Sequence, residues 1–210
     1  MIQIPSSRCS DTLHFGSSIY VRFPFTIGGT LKALTVALAT LILSACQSYS
    51  PQRYTAVPDN TPVLRALSGG TAKVDPFVLS TTFDASCRGG ANIDPPINMT
   101  FEGYLQAALA DELKVAGLYD EKNPKVVLSG NIDKLAFSST KGLTNGEWLI
   151  GLRVSSSNGR SAYISELYQF ESAFEGGSAC RRTAEAFLPA VQNVIAKLVR
   201  SAEFRSLFGI

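Results

Sequence analysis

Residues 147–170 read Glu-Trp-Leu-Ile-Gly-Leu-Arg-Val-Ser-Ser-Ser-Asn-Gly-Arg-Ser-Ala-Tyr-Ile-Ser-Glu-Leu-Tyr-Gln-Phe. Trp148, Ile150, Leu152 and Val154 recur at every second position, the spacing that puts side chains on one face of a strand. Asn158-Gly159 then supplies the residues that tolerate positive φ in a type I′ hairpin turn. Residues 161–174 return as the partner strand, and residues 125–137 form another strand candidate upstream. Three strands in succession predict an antiparallel meander.

Helices flank this meander. Phe101, Tyr104, Leu105, Ala108, Leu109, Leu113 and Ala116 recur at helical spacing, with Glu102, Gln106, Asp111 and Lys114 opposite, and Gly117 is a helix stop. A helix is predicted over residues 98–116. A second is predicted over residues 182–201, with Ala184, Phe187, Leu188, Val191, Val194, Ile195, Leu198 and Ala202 as its apolar face. Pro189 either kinks that helix or marks its first turn, and Phe204, Leu207 and Phe208 read as a docked tail.

Residues 73–83, carrying Val74, Phe77, Val78, Leu79 and Phe83, are the first strand candidate. A loop over residues 84–96 follows, with Cys87, Gly89-Gly90 and Pro95-Pro96. The order β-α-β-β-β-α predicts an α+β fold: a two-layer sandwich with a four-stranded, mostly antiparallel sheet and two helices on one face. The helical crossover allows the first strand to lie parallel to one neighbour.

The 210 residues are 45% hydrophobic and 17% charged, too apolar for a disordered chain and enough for one ordinary domain. Near the start, Lys32 precedes an uncharged run over residues 33–43. The run fits the apolar region of an export signal and falls short of the roughly 20 residues that span a bilayer. It closes in Leu43-Ser44-Ala45-Cys46, which resembles a bacterial lipobox: leucine, two small residues and the cysteine that becomes the new N-terminus. Cys46 is thus expected to carry a diacylglycerol thioether and palmitate-type acyl chains, two or three of which hold a protein stably on a membrane. The alternative is an ordinary secretory signal cut near Ala45. Gln47 follows where inner-membrane lipoproteins typically carry Asp, which favours the outer membrane.

Residues 1–45 are expected to be removed. Residues 1–30 fit a signal poorly; either translation starts at Leu31 or the leader has a long N-terminal region. With the leader go Arg8, Arg22, Lys32 and Asp11, leaving acidic and basic residues equal in number. A formally neutral domain has no net pull on nucleic acid, which is not expected as a partner. The only histidine, His14, also leaves, which excludes Ser-His-Asp and Cys-His catalysis and histidine-ligated zinc. Residues 46–72, rich in Pro, Ser, Thr and Gly, read as the lipidated cysteine and a flexible tether, with at most a short turn over residues 63–67. Residues 73–210 then form a single periplasmic α+β domain.

The chain resembles the YajG-like family of Gram-negative outer-membrane lipoproteins. The resemblance runs through the lipobox at Cys46, the helix Phe101-Glu-Gly-Tyr-Leu-Gln-Ala-Ala-Leu-Ala-Asp-Glu-Leu-Lys-Val-Ala-Gly-Leu, the strand Val126-Val-Leu-Ser-Gly-Asn-Ile-Asp-Lys-Leu, the Asn158-Gly159 hairpin, Tyr168-Gln-Phe-Glu-Ser-Ala-Phe-Glu-Gly and the closing helix. A similar layout occurs in lipopolysaccharide-assembly lipoproteins and in auxiliary lipoproteins of ABC transporters. The resemblance implies a lipid-anchored envelope protein and brings no catalytic residue. Cys87, Cys180 and the leader before Leu31 depart from it.

With Cys46 lipidated and Cys9 removed, Cys87 and Cys180 are the two thiols left in an oxidising compartment, so a disulfide between them is expected; the alternative is two separate thiols. They do not make a metal ligand set, and no metal or cofactor is expected. Carboxylates suited to acid–base work include Glu166 with Glu171 and Asp111 with Glu112. The first two have opposite strand parity and the second two read as a solvated helix edge, so surface charge is expected at all four. Gly69-Gly70, Gly89-Gly90 and Gly176-Gly177 lack phosphate-loop spacing and read as turns. Arg181-Arg182 reads as a solvated pair, Asn98-Met99-Thr100 as a coincidental sequon, and Trp148 as core.

The expectation is therefore a non-enzymatic, lipid-anchored lipoprotein facing the periplasm, acting as an interaction or accessory module for an envelope protein. The alternative is an accessory lipoprotein of a lipid or lipopolysaccharide transport system. A cell-wall-active enzyme would instead need a close, buried carboxylate pair in a cleft.

Overall fold

The computed structural model describes residues 47–67, 69–142 and 144–210. The expected leader, the signal and the Cys46 lipidation lie outside them. The elements run β1 (Ser48–Tyr49), α1 (Asn60–Arg65), β2 (Ala72–Val74), β3 (Val78–Leu79), β4 (Asn92–Ile93), α2 (Phe101–Ala116), β5 (Val126–Lys141), β6 (Asn145–Ser156), β7 (Ser161–Glu171), α3 (Gly176–Arg200) and α4 (Ala202–Leu207). The architecture is α+β with a mixed sheet.

The meander is present: β5 pairs antiparallel with β6, and β6 with β7, with Trp148 opposite Phe137 and Tyr168. A bulge between Ile132 and Lys134 inserts Asp133 and resets the side-chain parity of β5. The hairpin stands at Asn158-Gly159, but its turn is not type I′. Gly159 has φ +84° whereas Asn158 is not at positive φ. Gly159 N donates to Ser156 O at 2.9 Å and Ser156 N to Arg160 O at 2.8 Å, which is a type I turn followed by a left-handed glycine bulge.

The first strand differs from its expectation. β2 and β3 are separate short strands, each parallel to β5 along the edge away from β6. The break falls at Asp75-Pro76-Phe77, since Pro76 has no N–H for the ladder. Phe77 turns into the core over Gly130, where an added Cβ would stand 2.5 Å from its ring.

α2 begins at Phe101 rather than at residue 98 because Asn98 has φ +61°. Thr100 caps it, its Oγ1 accepting from Gly103 N at 3.1 Å, and Gly117 ends it at φ +77°. α3 starts six residues before the expected position, with Pro189 inside it. The Glu175 carboxylate accepts from Gly177 N at 2.7 Å and Ser178 N at 2.6 Å, so Gly176-Gly177 opens a helix instead of making a turn. The tail is docked: Phe204 and Leu207 are buried, and Ser156 Oγ donates to Leu207 O at 2.7 Å.

Both long helices meet the sheet at Trp148. Its buried ring lies 4.7 Å from Phe187 of α3, 6.4 Å from Phe101 of α2 and 5.0 Å from Phe137, centroid to centroid. Its Nε1 donates to Thr183 O at 2.8 Å, which satisfies the indole's one polar atom. Trp148 is core, as its alternation implied.

Residues 47–72 are not a free tether. β1 pairs parallel with β4, Leu64 of α1 is fully buried, and Leu67 is nearly so. Tyr104 Oη, on α2, donates to Gln52 O at 2.7 Å. Proline and serine content predicts a solvated linker only where no neighbour covers the backbone; here α2 and β4 do.

Candidate functional site

The polar residues that the fold buries decide what chemistry is available. Glu112, expected at a solvated helix edge, is fully buried on α2. Its Oε1 accepts from Tyr54 Oη at 2.6 Å, Val57 N at 2.8 Å and Asn60 Nδ2 at 3.0 Å. All three donors come from the segment that reads as linker, and this overturns the solvated-edge expectation. Helical periodicity puts residue 112 beside the apolar stripe, and the donors supplied by the folded segment offset its desolvation. Its Oε2 and Asn60 Oδ1 are buried without partners among the described residues.

Burial, and then the hydrogen bond to Glu112, push the Tyr54 phenol far above its ordinary pKa. Burial does the same to Tyr104, whose ring meets Tyr54 edge-on at 6.3 Å. Both phenols stay neutral donors at any physiological pH. Asp111, next to Glu112, points outward and pairs with Lys114 at 3.0 Å, as a solvated edge should. A hollow of about 100 Å³ beside it is lined by Arg53, Tyr54, Met99, Tyr104, Ala107 and Asp111.

Glu166 is the second correction. It is nearly buried between β7 and α3, bonded to Lys197 Nζ and accepting from Asn193 Nδ2 at 3.3 Å. Glu171 lies exposed at the end of β7, so the two carboxylates do not converge. Each of these two buried carboxylates thus has its own structural partners. This is an arrangement for fastening elements together.

Cys87 and Cys180 are joined in a disulfide, Cα to Cα 5.9 Å, across 93 residues of sequence. The bridge ties the loop before β4 to the second turn of α3. Beside it, Arg88 donates to Ser139 O and, at 3.0 Å, to Phe174 O. Arg181 and Arg182 are both exposed, Arg182 donating to Ser172 O at 2.7 Å and Arg181 to Ser178 Oγ at 3.4 Å. Gly69 occupies a turn, whereas Gly90 closes a short 3-10 helix over Arg88–Gly90, both glycines being at positive φ. Among the described residues no group of three or more His, Cys, Asp or Glu comes together, and no helix is long and apolar enough to cross a membrane. Sequence reasoning missed Tyr54, Val57 and Asn60; the one local hint was a tyrosine and a valine among otherwise polar residues.

The sequence matches no family model and no curated protein. The fold is similar to that of protein XCC0632 from Xanthomonas campestris, a structure described under the family model DUF330. The TM-score is 0.50 at 15% identity, covering 76% of this chain and 96% of that one. Two further solved structures match: the PelC dodecamer from Paraburkholderia phytofirmans (TM-score 0.33, 17% identity, 70% and 91% covered) and hypothetical protein CT253 from Chlamydia trachomatis (0.38, 9%, 64% and 95%). At 15% identity the first of these speaks to the α+β fold alone.

Proposed function

We propose that this chain is a lipid-anchored, non-enzymatic lipoprotein of the cell envelope, held at the outer membrane through Cys46 and facing the periplasm, where it serves an envelope protein as an interaction or accessory module. The observation that carries this reading is the fate of the residues directly after Cys46. Asn92 N donates to Gln47 O at 3.0 Å, and β1 pairs with β4 from Ser48 onward. Pull on an anchor at Cys46 would therefore pass straight into the folded domain.

Three further features support it. The Leu43-Ser44-Ala45-Cys46 lipobox supplies the anchor chemistry. The Cys87–Cys180 bridge suits an oxidising compartment. The buried carboxylates Glu112 and Glu166 are engaged in structural bonds. The architecture we propose is a two-layer sandwich, with α2 and α3 together on the Trp148 face of the sheet.

The test is the intact mass of the full chain recovered from outer-membrane fractions, before and after reduction. The expected species begins at acylated Cys46 and gains two hydrogens on reduction. An unacylated soluble species would overturn the anchor. Crosslinking in the membrane then identifies the protein served, a lipid or lipopolysaccharide transport system being the specific alternative role.

A further inference from the structure

Gln47, the residue bonded to Cys46, is the first of the described residues, and its carbonyl accepts from Asn92 N. Consecutive Cα atoms are ~3.8 Å apart, so a lipid on Cys46 has a leash of one residue. A group so close to the domain cannot leave it standing free of the surface in which the acyl chains lie. The end of the domain at Gln47 must face that surface.

Several side chains identify this end. The Tyr49 hydroxyl lies 3.0 Å from where a Cβ on Gly177 would stand, at the start of α3. Arg88, next to the disulfide, reaches Ser139 near the β5–β6 turn and Phe174 O in the loop before α3. Phe174 itself is 78% exposed, and its carbonyl accepts from Arg88 at this same end of the domain. The Asn158-Gly159 turn and Ile210 lie at the other end of β6, whose 12 residues extend for roughly 40 Å at the usual strand rise.

We propose that this end of the domain docks directly on the lipid surface, with Phe174 seated at the boundary between headgroups and acyl chains. Phenylalanine is one of the side chains that bury in this zone when a helix or loop lies on a membrane. The inference rests on the acylation of Cys46 proposed above, and commits to one occupant: the leaflet that holds the anchor.

The experiment uses the full chain, made in a bacterial host that acylates lipoproteins, with the photoreactive p-benzoylphenylalanine replacing Phe174. Tyr163, 40% exposed in β7, and Ile210, at the far end, are replaced in the same way for comparison. Isolated membranes are irradiated, and mass spectrometry reads both acylation of Cys46 and phospholipid adducts at each position. The expected result is acylated Cys46 with lipid adducts at 174 several-fold above those at 163 and 210. A flexible Gly/Ser spacer inserted between Cys46 and Gln47 should lower the yield at 174 several-fold. Acylated Cys46 without excess adduct at 174 would overturn the docking and leave the anchor standing, as would a yield that the spacer leaves unchanged. Unacylated Cys46 would overturn both.

Discussion

Tyr54 and Glu112, 58 residues apart in sequence, are joined by a 2.6 Å hydrogen bond from the phenol to the buried carboxylate. Val57 N and Asn60 Nδ2 converge on the same oxygen, so one side chain of α2 takes three bonds from the segment that leads in from Gln47.

Glu112→Ala removes the acceptor for all three donors. The expected loss is about 2–4 kcal/mol, because buried donors left without partners lose their full hydration. Glu112→Gln retains one carbonyl oxygen and should lose less. Urea unfolding measures the difference, and trypsin should cut after Arg53 and Arg65 faster in Glu112→Ala than in the parent.

Alkaline pH should loosen the same segment. Burial raises the Tyr54 and Tyr104 phenols above their ordinary values, so the unfolded chain gives up these protons first. Their contribution is fully present below about pH 10, the ordinary tyrosine value, and is lost as pH rises beyond it. Tyr54→Phe should be less stable at neutral pH but lose less between neutral and alkaline pH. Paired urea titrations at the two pH values read this directly.

Reducing the Cys87–Cys180 bridge reopens a 93-residue separation in the unfolded chain. The chain-entropy account puts the loss at about 4–5 kcal/mol as an upper bound. Thermal unfolding with and without reductant should show a large drop in Tm, matched by the double variant Cys87→Ala, Cys180→Ala. An unchanged Tm would contradict the bridge's role in holding the loop before β4 against α3.

Glu175 caps α3 as a carboxylate. Hydrogen bonds from the backbone N–H groups of Ser178 and then Gly177 hold its pKa below the usual glutamate value. A depressed folded value means stability that is present above about pH 4.3, the ordinary glutamate value, and lost as pH falls below it. Glu175→Gln should flatten that part of the acid limb in pH-dependent thermal melts, and Glu175→Ala should lower the Tm at neutral pH by removing the acceptor that caps α3.

Gly130→Ala puts a methyl group where the Phe77 ring already lies, 2.5 Å from the new Cβ. A loss of about 1–3 kcal/mol is expected from overpacking. Combining it with Phe77→Ala should give less than the sum of the two single losses, since one atom set is removed to make room for the other. Denaturant midpoints of the four chains complete the cycle.

Much of this fold is readable along the chain because its causes lie within a few residues. Thr100, the 3.6-residue stripe and Gly117 start, orient and stop α2. Trp148, Ile150, Leu152 and Val154 alternate, and all four are buried. Even where details differ, the cause is local once seen: Asn98 at positive φ delays α2, Pro76 splits the first strand, and Glu175 advances the start of α3.

The carboxylates mark where local reading stops. Glu112 lies beside the apolar stripe of α2, but nothing within the helix supplies the donors that its burial requires. Its burial depends on Tyr54, Val57 and Asn60, which only chain reversal brings alongside. Glu166 likewise acquires its environment from Asn193 and Lys197, near the end of α3.

The sequence by itself thus determines the helices, the meander and the α+β class, because periodicity, caps and turn residues act over the range of one or two turns. Tertiary structure alone decides that the apparent linker is part of the domain and that Glu112 is a buried clamp. Those outcomes depend on which distant surfaces exclude water from one another, and that is a property of the packed elements together.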